Sequence, residues 1–571
     1  MAARSDRRPP LRCSFLVLQS KILKEPILSS SNAIRTATSK CNERRYDQES
    51  FVCVCNTQSC DQVEEVGSLD ANRAAVFSTG RADGRLTRST VQFEPLAPNA
   101  ETTRVRIFPE RRFQKIEGFG GAMTDAVMHE AENLNYKLQG LAYDLLRQYY
   151  GAGSINYTLT RVPIGSCDFS LNNHSFVDVD QDFELNSFKL LDYDEKRAAF
   201  LKEAVKLTDG KLRLFASPWS PPGWMKNTRL MQGPGILRGE FNGIYYLTYA
   251  RYLLRFFEEY NRMGVNFWAM TVQNEPSSGV EAGYLFQTCY FSPTMQRDFV
   301  QHRLGPLLKS KWFSKDIKIL AHDDQREQVF DAARLIYDDD HDYSMIDGLA
   351  VHWQAIALEA PCPSSSCRYS RSSYEPLNQT HHLKPDKLIL STEACNGDRP
   401  LEHIPLLGSW KYAENYAHDI IQSLLNYVVG WTDWNLWLNE LGGPNWPNCS
   451  NASFQVLRYK LLMLLFFHVL GHFSKFIQPG SVRVGVKMDG FEGREDDDVE
   501  AVAFETPERH FVVVVHNRAE TKTFDLAVGV DGQTRKFVRV QLPPKSIRTV
   551  VWRAERKARK PAKPTHRSHS L

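Results

Sequence analysis

Leu212-Arg-Leu-Phe-Ala-Ser-Pro218, then Ile244 to Arg262, then Phe267-Trp-Ala-Met-Thr-Val272: this succession decides the fold. In the middle stretch Tyr245, Tyr249, Leu253, Phe256 and Tyr260 recur at three- and four-residue steps, with Arg251, Arg255 and Glu259 between them. That period predicts a helix with one buried face, and the short apolar runs on either side read as strands. The same alternation continues outward in both directions. Ile116 to Gly120, Ile155 to Pro163, Ile317 to Ala321, Ile346 to His352, Lys387 to Ser391 and Val428 to Trp434 complete a set of eight runs with amphipathic stretches between them. Repeated strand and helix units of this kind surround a parallel sheet. Eight of them predict an α/β fold, a (β/α)8 TIM barrel over residues 116–469, whose chemistry sits at the C-terminal ends of the strands. A doubly wound open sheet is the alternative.

Beyond the barrel the period changes to two: Val482, Val484 and Val486, Ala501 and Ala503, Val512 to Val515, and Val550 to Trp552, with Asp, Gly and Pro between. This predicts an antiparallel all-β sandwich over 470–553, completed from the N-terminal side by 69–115, where Val91-Gln-Phe93 and Val105-Arg-Ile-Phe108 look like strands. The barrel is then inserted between the halves of the sandwich. Residues 41–68 are expected to form a small N-terminal β domain. Residues 1–40 read as a leader with a degenerate signal region, basic from Met1 to Arg12 but with a short apolar stretch at Cys13 to Leu18. Residues 554–571 read as a basic disordered tail. The longest wholly apolar run, Leu461 to Phe467, is far short of the roughly 20 residues that span a bilayer, so it reads as a buried core segment.

The chain has 571 residues, 42% of them hydrophobic and 24% charged, in proportions that suit a globular protein with a sizeable core. Its net charge of +3 comes from the two ends. The body between them is slightly acidic, which argues against nucleic acid as a partner. The absence of a Gly-x-Gly-x-x-Gly after a strand removes the footing for a nucleotide cofactor. Of the eleven cysteines, Cys41, Cys53, Cys55 and Cys60 cluster, while Cys167, Cys289 and Cys395 stand alone. The cluster reads as disulfides; a zinc site competes, but there is no C-x-x-C pair. Five N-x-S/T sequons at Asn156, Asn173, Asn378, Asn448 and Asn451 agree with an oxidising, glycosylating route.

Two glutamates occupy the positions where a barrel places catalytic groups. Glu275 closes Thr271-Val-Gln-Asn-Glu-Pro276 after the fourth strand, and Glu393 closes Leu390-Ser-Thr-Glu-Ala-Cys395 after the seventh. These strands face each other across the barrel mouth, so the fold can unite carboxyls that are distant in sequence. Glycoside hydrolysis needs such a pair, one carboxyl protonated to serve the leaving oxygen and the other ionised to attack or stabilise the sugar carbon. Asn274 beside the acid offers an amide to a sugar 2-hydroxyl. Asp168, Trp219, His352-Trp353 and Trp431-Thr-Asp-Trp434-Asn435 lie at other strand ends and supply the aromatic faces and polar edges that sugars require.

Gly118-Phe-Gly-Gly-Ala-Met-Thr-Asp125, Arg161-Val-Pro163, Cys167-Asp-Phe-Ser170, Ala216-Ser-Pro-Trp219, Asn274-Glu-Pro276, Thr392-Glu-Ala-Cys395, Gly430-Trp-Thr-Asp-Trp-Asn435 and Gly471-His-Phe-Ser-Lys-Phe476 occur in that order. Together they resemble the lysosomal glucosylceramidases (acid β-glucosidases) of glycoside hydrolase family 30. The resemblance implies pairings Cys41 to Cys53 and Cys55 to Cys60 in a disulfide-linked N-terminal β domain, with Glu275 as acid/base and Glu393 as nucleophile of a retaining reaction. It implies that Arg161 orients the nucleophile, that Asp168, Trp219, Asn274, His352 and Trp434 hold the glucosyl unit, and that Tyr284 and Phe286 line the mouth. The implied substrate is glucosylceramide, with no metal or organic cofactor. The implied setting is lysosomal or secreted, peripheral to an anionic lipid membrane, with a saposin-type activator. Two departures stand out: Gln354 where the family carries Tyr, followed by a dissimilar stretch to Ser373, and a shorter, Leu-rich segment between Trp446 and Phe467. They motivate a rival reading, a non-catalytic glucolipid-binding protein on the same scaffold. A related β-xylosidase or glucanase is another.

Overall fold

The computed structural model describes residues 42–55, 62–82, 84–95, 102–138, 140–353, 373–396, 406–439, 442–445, 461–463, 465–491, 497–533 and 536–554. In chain order the strands begin with β1 (Glu43–Arg45) and β2 (Phe51–Cys55), followed by β3 (Arg73–Gly80), β4 (Thr87–Glu94) and β5 (Thr103–Lys115). Eight barrel strands come next: β6 (Gly118–Ala122), β7 (Leu159–Ile164), β8 (Arg213–Pro218), β9 (Ala269–Thr271), β10 (Lys318–Gln325), β11 (Gly348–His352), β12 (Leu388–Glu393) and β13 (Gly430–Asn435). The chain then makes β14 (Leu461–Met463), β15 (Val482–Met488), β16 (Val499–Glu505), β17 (His510–Asn517), β18 (Phe524–Val530), β19 (Phe537–Leu542) and β20 (Ser546–Arg553).

Strands β6 to β13 pair in sequence, all parallel, and close into a barrel where β13 meets β6. The open-sheet alternative is thereby excluded. Each of the eight apolar runs contains or overlaps one of these strands, because a strand buried on both faces cannot show a polar alternate position. Closure demands close backbone approach: a Cβ on Gly120 would overlap the Leu159 carbonyl of β7. Leu159, Leu320, Ala350, Leu390 and Val429 fill the barrel interior as a cluster of their own. The helix Ile244–Arg262 forms as its period dictates and buries Tyr249, Tyr252, Leu253, Phe256 and Tyr260 against the barrel wall. Each such side chain contributes on the order of 1.5–3 kcal/mol.

The other nine strands, β3 to β5 and β15 to β20, also close into a ring, in the order β15-β16-β17-β20-β3-β4-β19-β18-β5. No strand edge is left over among them, which removes the usual site of edge-to-edge association. The helix Leu465–Ser474 lies between this sandwich and the barrel. Phe473 packs on Phe119 of β6, Phe476 just beyond the helix packs on Phe77 of β3, and His472 bonds both Thr79 and Thr549. The boundary expected at 469/470 therefore falls inside a helix, and sandwich strands resume only at Val482. Sequence patterning missed it because the helix is apolar all round, buried by both layers at once.

The small N-terminal sheet differs in a second way from the expectation of a domain confined to 41–68. β1 pairs antiparallel with β2, but β2 also pairs antiparallel with β14, whose residues were assigned to the barrel. Leu461 to Met463 is thus a strand in this three-stranded sheet. Cys53 is disulfide-bonded. Cys41 and Cys60, the leader, the basic tail, Gln354, Asn448 and Asn451 lie outside the described residues.

Candidate active site

The barrel strands deliver side chains to one end, and local backbone distortions aim them. Glu275 follows β9 with a left-handed backbone, φ 39°, and its N–H is held by the Asp323 carbonyl at 2.9 Å. His322 and Asp323 on β10 are also left-handed, at φ 74° and 53°, where the register with β11 slips. A second slip lies between Val351 and His352. Such bulges turn side chains that would otherwise face the barrel wall toward the mouth.

An oxygen of Glu275, an oxygen of Glu393 and a ring nitrogen of His352 all lie within 4.8 Å of one another. The carboxyls converge as closely as the retaining geometry of about 5–5.5 Å requires. Glu393 is the deeper of the two, its side chain 9% exposed against 21% for Glu275. Arg161, wholly buried, ion-pairs with Glu393 and donates to Asp323 Oδ2 and Asn274 Oδ1 at 2.8 Å each and to Ser217 Oγ at 3.0 Å. With every arm committed to protein oxygens, it fixes the Glu393 carboxyl and turns no bonding nitrogen outward, which places it among the supports.

Asp323 is the hub of these supports. It accepts from Arg161, from Thr271 and Thr392 hydroxyls at 2.6 Å, and lies 3.2 Å from His352 Nε2. Burial works against its charge, but Arg161 and His352 win and hold it far below the ordinary carboxylate range. His352 is 0% exposed, with Nδ1 3.2 Å from Glu275 Oε1. Both ring nitrogens are occupied by carboxylates, so it cannot hold the glucosyl unit as the sequence resemblance implied. Burial disfavours its cation, yet Glu393, Asp323 and Glu275 push it up to about 10. Glu275 Oε1 also accepts from Gln325 Nε2 at 3.4 Å, and Oε2 from Tyr284 Oη at 3.3 Å.

These surroundings split the pair. For Glu275 burial raises the pKa, but the His352 bond and charge, with the Tyr284 bond and Arg161, leave it lowered. For Glu393 burial and the negative Glu275 and Asp323 outweigh His352 and Arg161, and it is raised. The two carboxyls are thus shifted in opposite directions, Glu275 toward its ionised form and Glu393 toward its protonated one. Glu275 lies nearer the mouth, and Glu393 lies beneath it. A divalent cation among these three residues would have to displace Arg161 from Glu393 and break the His352–Glu275 bond, so the donor set suits a proton better than a metal.

Asp168 and Trp434 complete the pocket floor. Asp168 and Trp434 Nε1 are buried facing each other, and the Trp434 N–H lowers the Asp168 pKa against the stronger effect of burial. Burial, with Glu393 and Glu275 nearby, pushes Asp168 up to about 8. Trp434 stacks on Trp219 with centroids 5.1 Å apart, and the Arg161 guanidinium lies 4.8 Å from the Trp219 ring. Asn274 is turned by its bond to Arg161, which leaves its amide nitrogen as the free donor. Tyr284 and Phe286 meet edge-on at 5.8 Å on the rim. Their loop is stitched to that of residues 226–238: Gly233 N–H donates to the Phe286 carbonyl, and buried Lys226 Nζ donates to the carbonyls of Met231, Gly233 and Thr288. Leu230, Val280 and Leu285 protrude from these two loops, each more than half exposed.

Residues 116–477 match the glycosyl hydrolase family 30 TIM-barrel domain, and residues 480–550 match the family's beta sandwich domain. The chain belongs to glycosyl hydrolase family 30. Among its relatives, the putative glucosylceramidase 3 of Caenorhabditis elegans is 38% identical over 92% of this chain and 98% of its own length. The lysosomal acid glucosylceramidase of Mus musculus is 36% identical over 90% of this chain and 96% of its own. The crystal structure of SrfJ from Salmonella typhimurium superposes with a TM-score of 0.70 at 27% identity, covering 85% of this chain and all of that one. The family's barrel ends at 477, past the 469 expected from sequence and in agreement with the course of the helix Leu465–Ser474. Asp323 and Gln325 were missed in the sequence. The signal was present in His322-Asp-Asp-Gln325, directly after the fifth apolar run.

Proposed function

We propose that the protein is a retaining β-glucosidase that cleaves glucosylceramide to glucose and ceramide. The observation that carries this reading is the convergence of Glu275 and Glu393 within 4.8 Å at the strand ends of a family 30 barrel. Glu393 attacks the anomeric carbon as the bond to the ceramide oxygen breaks, and Glu275 gives that oxygen its proton. Glu275, now a base, takes a proton from water as the water attacks the same carbon, releasing glucose with its configuration retained. Asp168, Asn274 and Trp434 hold the glucosyl hydroxyls, and Trp219 backs Trp434.

The lipid part of the substrate accounts for the rim. Leu230, Val280 and Leu285, exposed on the loops next to Tyr284 and Phe286, offer apolar surface that supports peripheral contact with a lipid membrane, and an anionic lipid surface and a saposin-type activator belong to the same proposal. No helix among the described residues is long and apolar enough to cross a membrane. A lysosomal or secreted location is supported by the disulfide at Cys53 and by the sequons, of which Asn156, Asn173 and Asn378 are half-buried. The pairing Cys41 to Cys53 and Cys55 to Cys60 belongs to the same proposal.

The test is mass spectrometry of the enzyme after exposure to a 2-deoxy-2-fluoro-glucosyl fluoride, together with turnover of a lipid and a fluorogenic β-glucoside in acid. A glucosyl adduct on Glu393 is expected. Ligand binding without adduct or turnover would transfer the protein to the non-catalytic class, and turnover confined to xylosides or glucans would change its substrate.

A further inference from the structure

His352 sits where its protonation has only one satisfactory solution. Asp323, fixed as an anion by Arg161, Thr271 and Thr392, faces Nε2 at 3.2 Å, so that nitrogen carries hydrogen. Glu275 Oε1 faces Nδ1 at 3.2 Å and already accepts from the Gln325 amide. The Tyr284 hydroxyl at Oε2 can reverse and accept, which the Gln325 amide N–H at Oε1 cannot, so the acidic hydrogen, when Glu275 holds one, sits on Oε2. Nδ1 is then a donor as well, and the ring is an imidazolium. The charged groups packed around it are mostly acidic, namely Asp323 from β10, Glu275 after β9 and Glu393 on β12, opposed by Arg161 from β7 and by His322, whose own charge burial suppresses.

We propose that His352 is a positioning residue that, as an imidazolium wedged between Asp323 and Glu275, keeps the acid/base carboxyl ionised until the medium is acidic. The site itself then confines the reaction to acid, whatever the compartment supplies. The same ring directs the catalytic hydrogen to Oε2, the oxygen on the mouth side, and after proton transfer it balances the new carboxylate that must activate water. The inference rests on Glu275 being the acid/base.

The test is the pH profile of kcat/KM for His352→Gln, which keeps polar contacts but not the charge. The alkaline limb is expected to move to higher pH. At a pH where wild type has lost most of its activity, the variant should retain about tenfold more of its own maximum, the ratio that one pH unit of displacement gives. A substrate whose leaving group needs no protonation should lack that limb in both proteins. A limb that stays in place while kcat falls would reduce His352 to a structural role and overturn the proposal. Absence of any turnover or adduct in wild type would instead overturn the functional reading beneath it. If the variant does not fold, 15N-histidine NMR of wild type decides. The imidazole that responds to glucosylation of Glu393 should show both nitrogens protonated from pH 4 to 7, and a neutral ring at pH 6 would refute the assignment.

Discussion

Two buried clusters in this molecule use the same components, carboxylate, histidine and arginine, and arrive at opposite ends. At the junction of barrel and sandwich, Glu500 on β16 accepts from His418 Nδ1 at 2.5 Å and pairs with Arg518 Nε at 3.2 Å, with His516 3.7 Å away. One carboxyl meets an excess of cationic groups, and despite burial it is held far below its ordinary pKa. At the mouth, Glu275, Glu393, Asp323 and Asp168 crowd around two cationic side chains among the described residues, Arg161 and His352. There the negative groups outnumber their partners, so Glu393 and Asp168 are raised and protons are retained inside the protein. Fold-holding and catalysis thus differ in the local balance of charge, and a surplus of carboxyls is what leaves a proton available for transfer.

The largest effect should come from removing the reacting carboxyls. Glu393→Gln is expected to abolish turnover of β-glucosides, and Glu275→Gln to lower kcat by about 10²–10⁴-fold with a poor leaving group and much less with a good one. Steady-state assays with paired substrates check both. Arg161→Met tests the claim that the mouth depends on its few cations. It leaves Asp323 buried without its main counter-charge, and a loss of about 3–5 kcal/mol in unfolding free energy is expected alongside lost activity. Denaturant melts would show it.

Glu500→Gln should separate the clusters cleanly, destabilising the protein without altering the pH profile of kcat/KM. Because the folded-state pKa of Glu500 is depressed, its contribution is present above the unfolded value near 4.3 and is lost as pH falls below that. The gap in Tm between wild type and variant is therefore expected to be widest at pH 6–7 and to close on acidification. A shifted activity profile in Glu500→Gln would erase the distinction drawn here. The smallest change belongs to Trp434→Phe, which deletes the N–H beside Asp168 and keeps the ring. A typical hydrogen bond of about 0.5–1.5 kcal/mol predicts a rise in KM of roughly two- to tenfold with a smaller change in kcat.

The barrel and its two glutamates were legible because each depends on a local pattern with one meaning. Continuous apolar runs mark strands buried on both faces, and a carboxylate directly after such a run stands at the mouth. The supports were less legible. Asp323 lies in a strand whose apolar run stops at Ala321, and buried charges in His322-Asp-Asp-Gln325 look like a loop until their partners on β7, β9 and β12 are seen. Resemblance placed Arg161 and His352 at the site but only geometry separated gripping a sugar from gripping a carboxylate. The third strand of the small sheet was hidden for another reason, since Leu461 to Met463 joins residues far away in sequence, and pairing at that range leaves no trace in either segment.

That last strand bears on how the chain is made. β2 emerges early, while the strand that covers one of its edges follows only after all eight barrel strands have been synthesised. Until then Val52 to Cys55 presents unpaired amides and carbonyls beside cysteines open to exchange, a hazard during translation. Arrival of β14 seals that edge before the six sandwich strands β15 to β20 follow, and a chain released before it would stay exposed at its beginning.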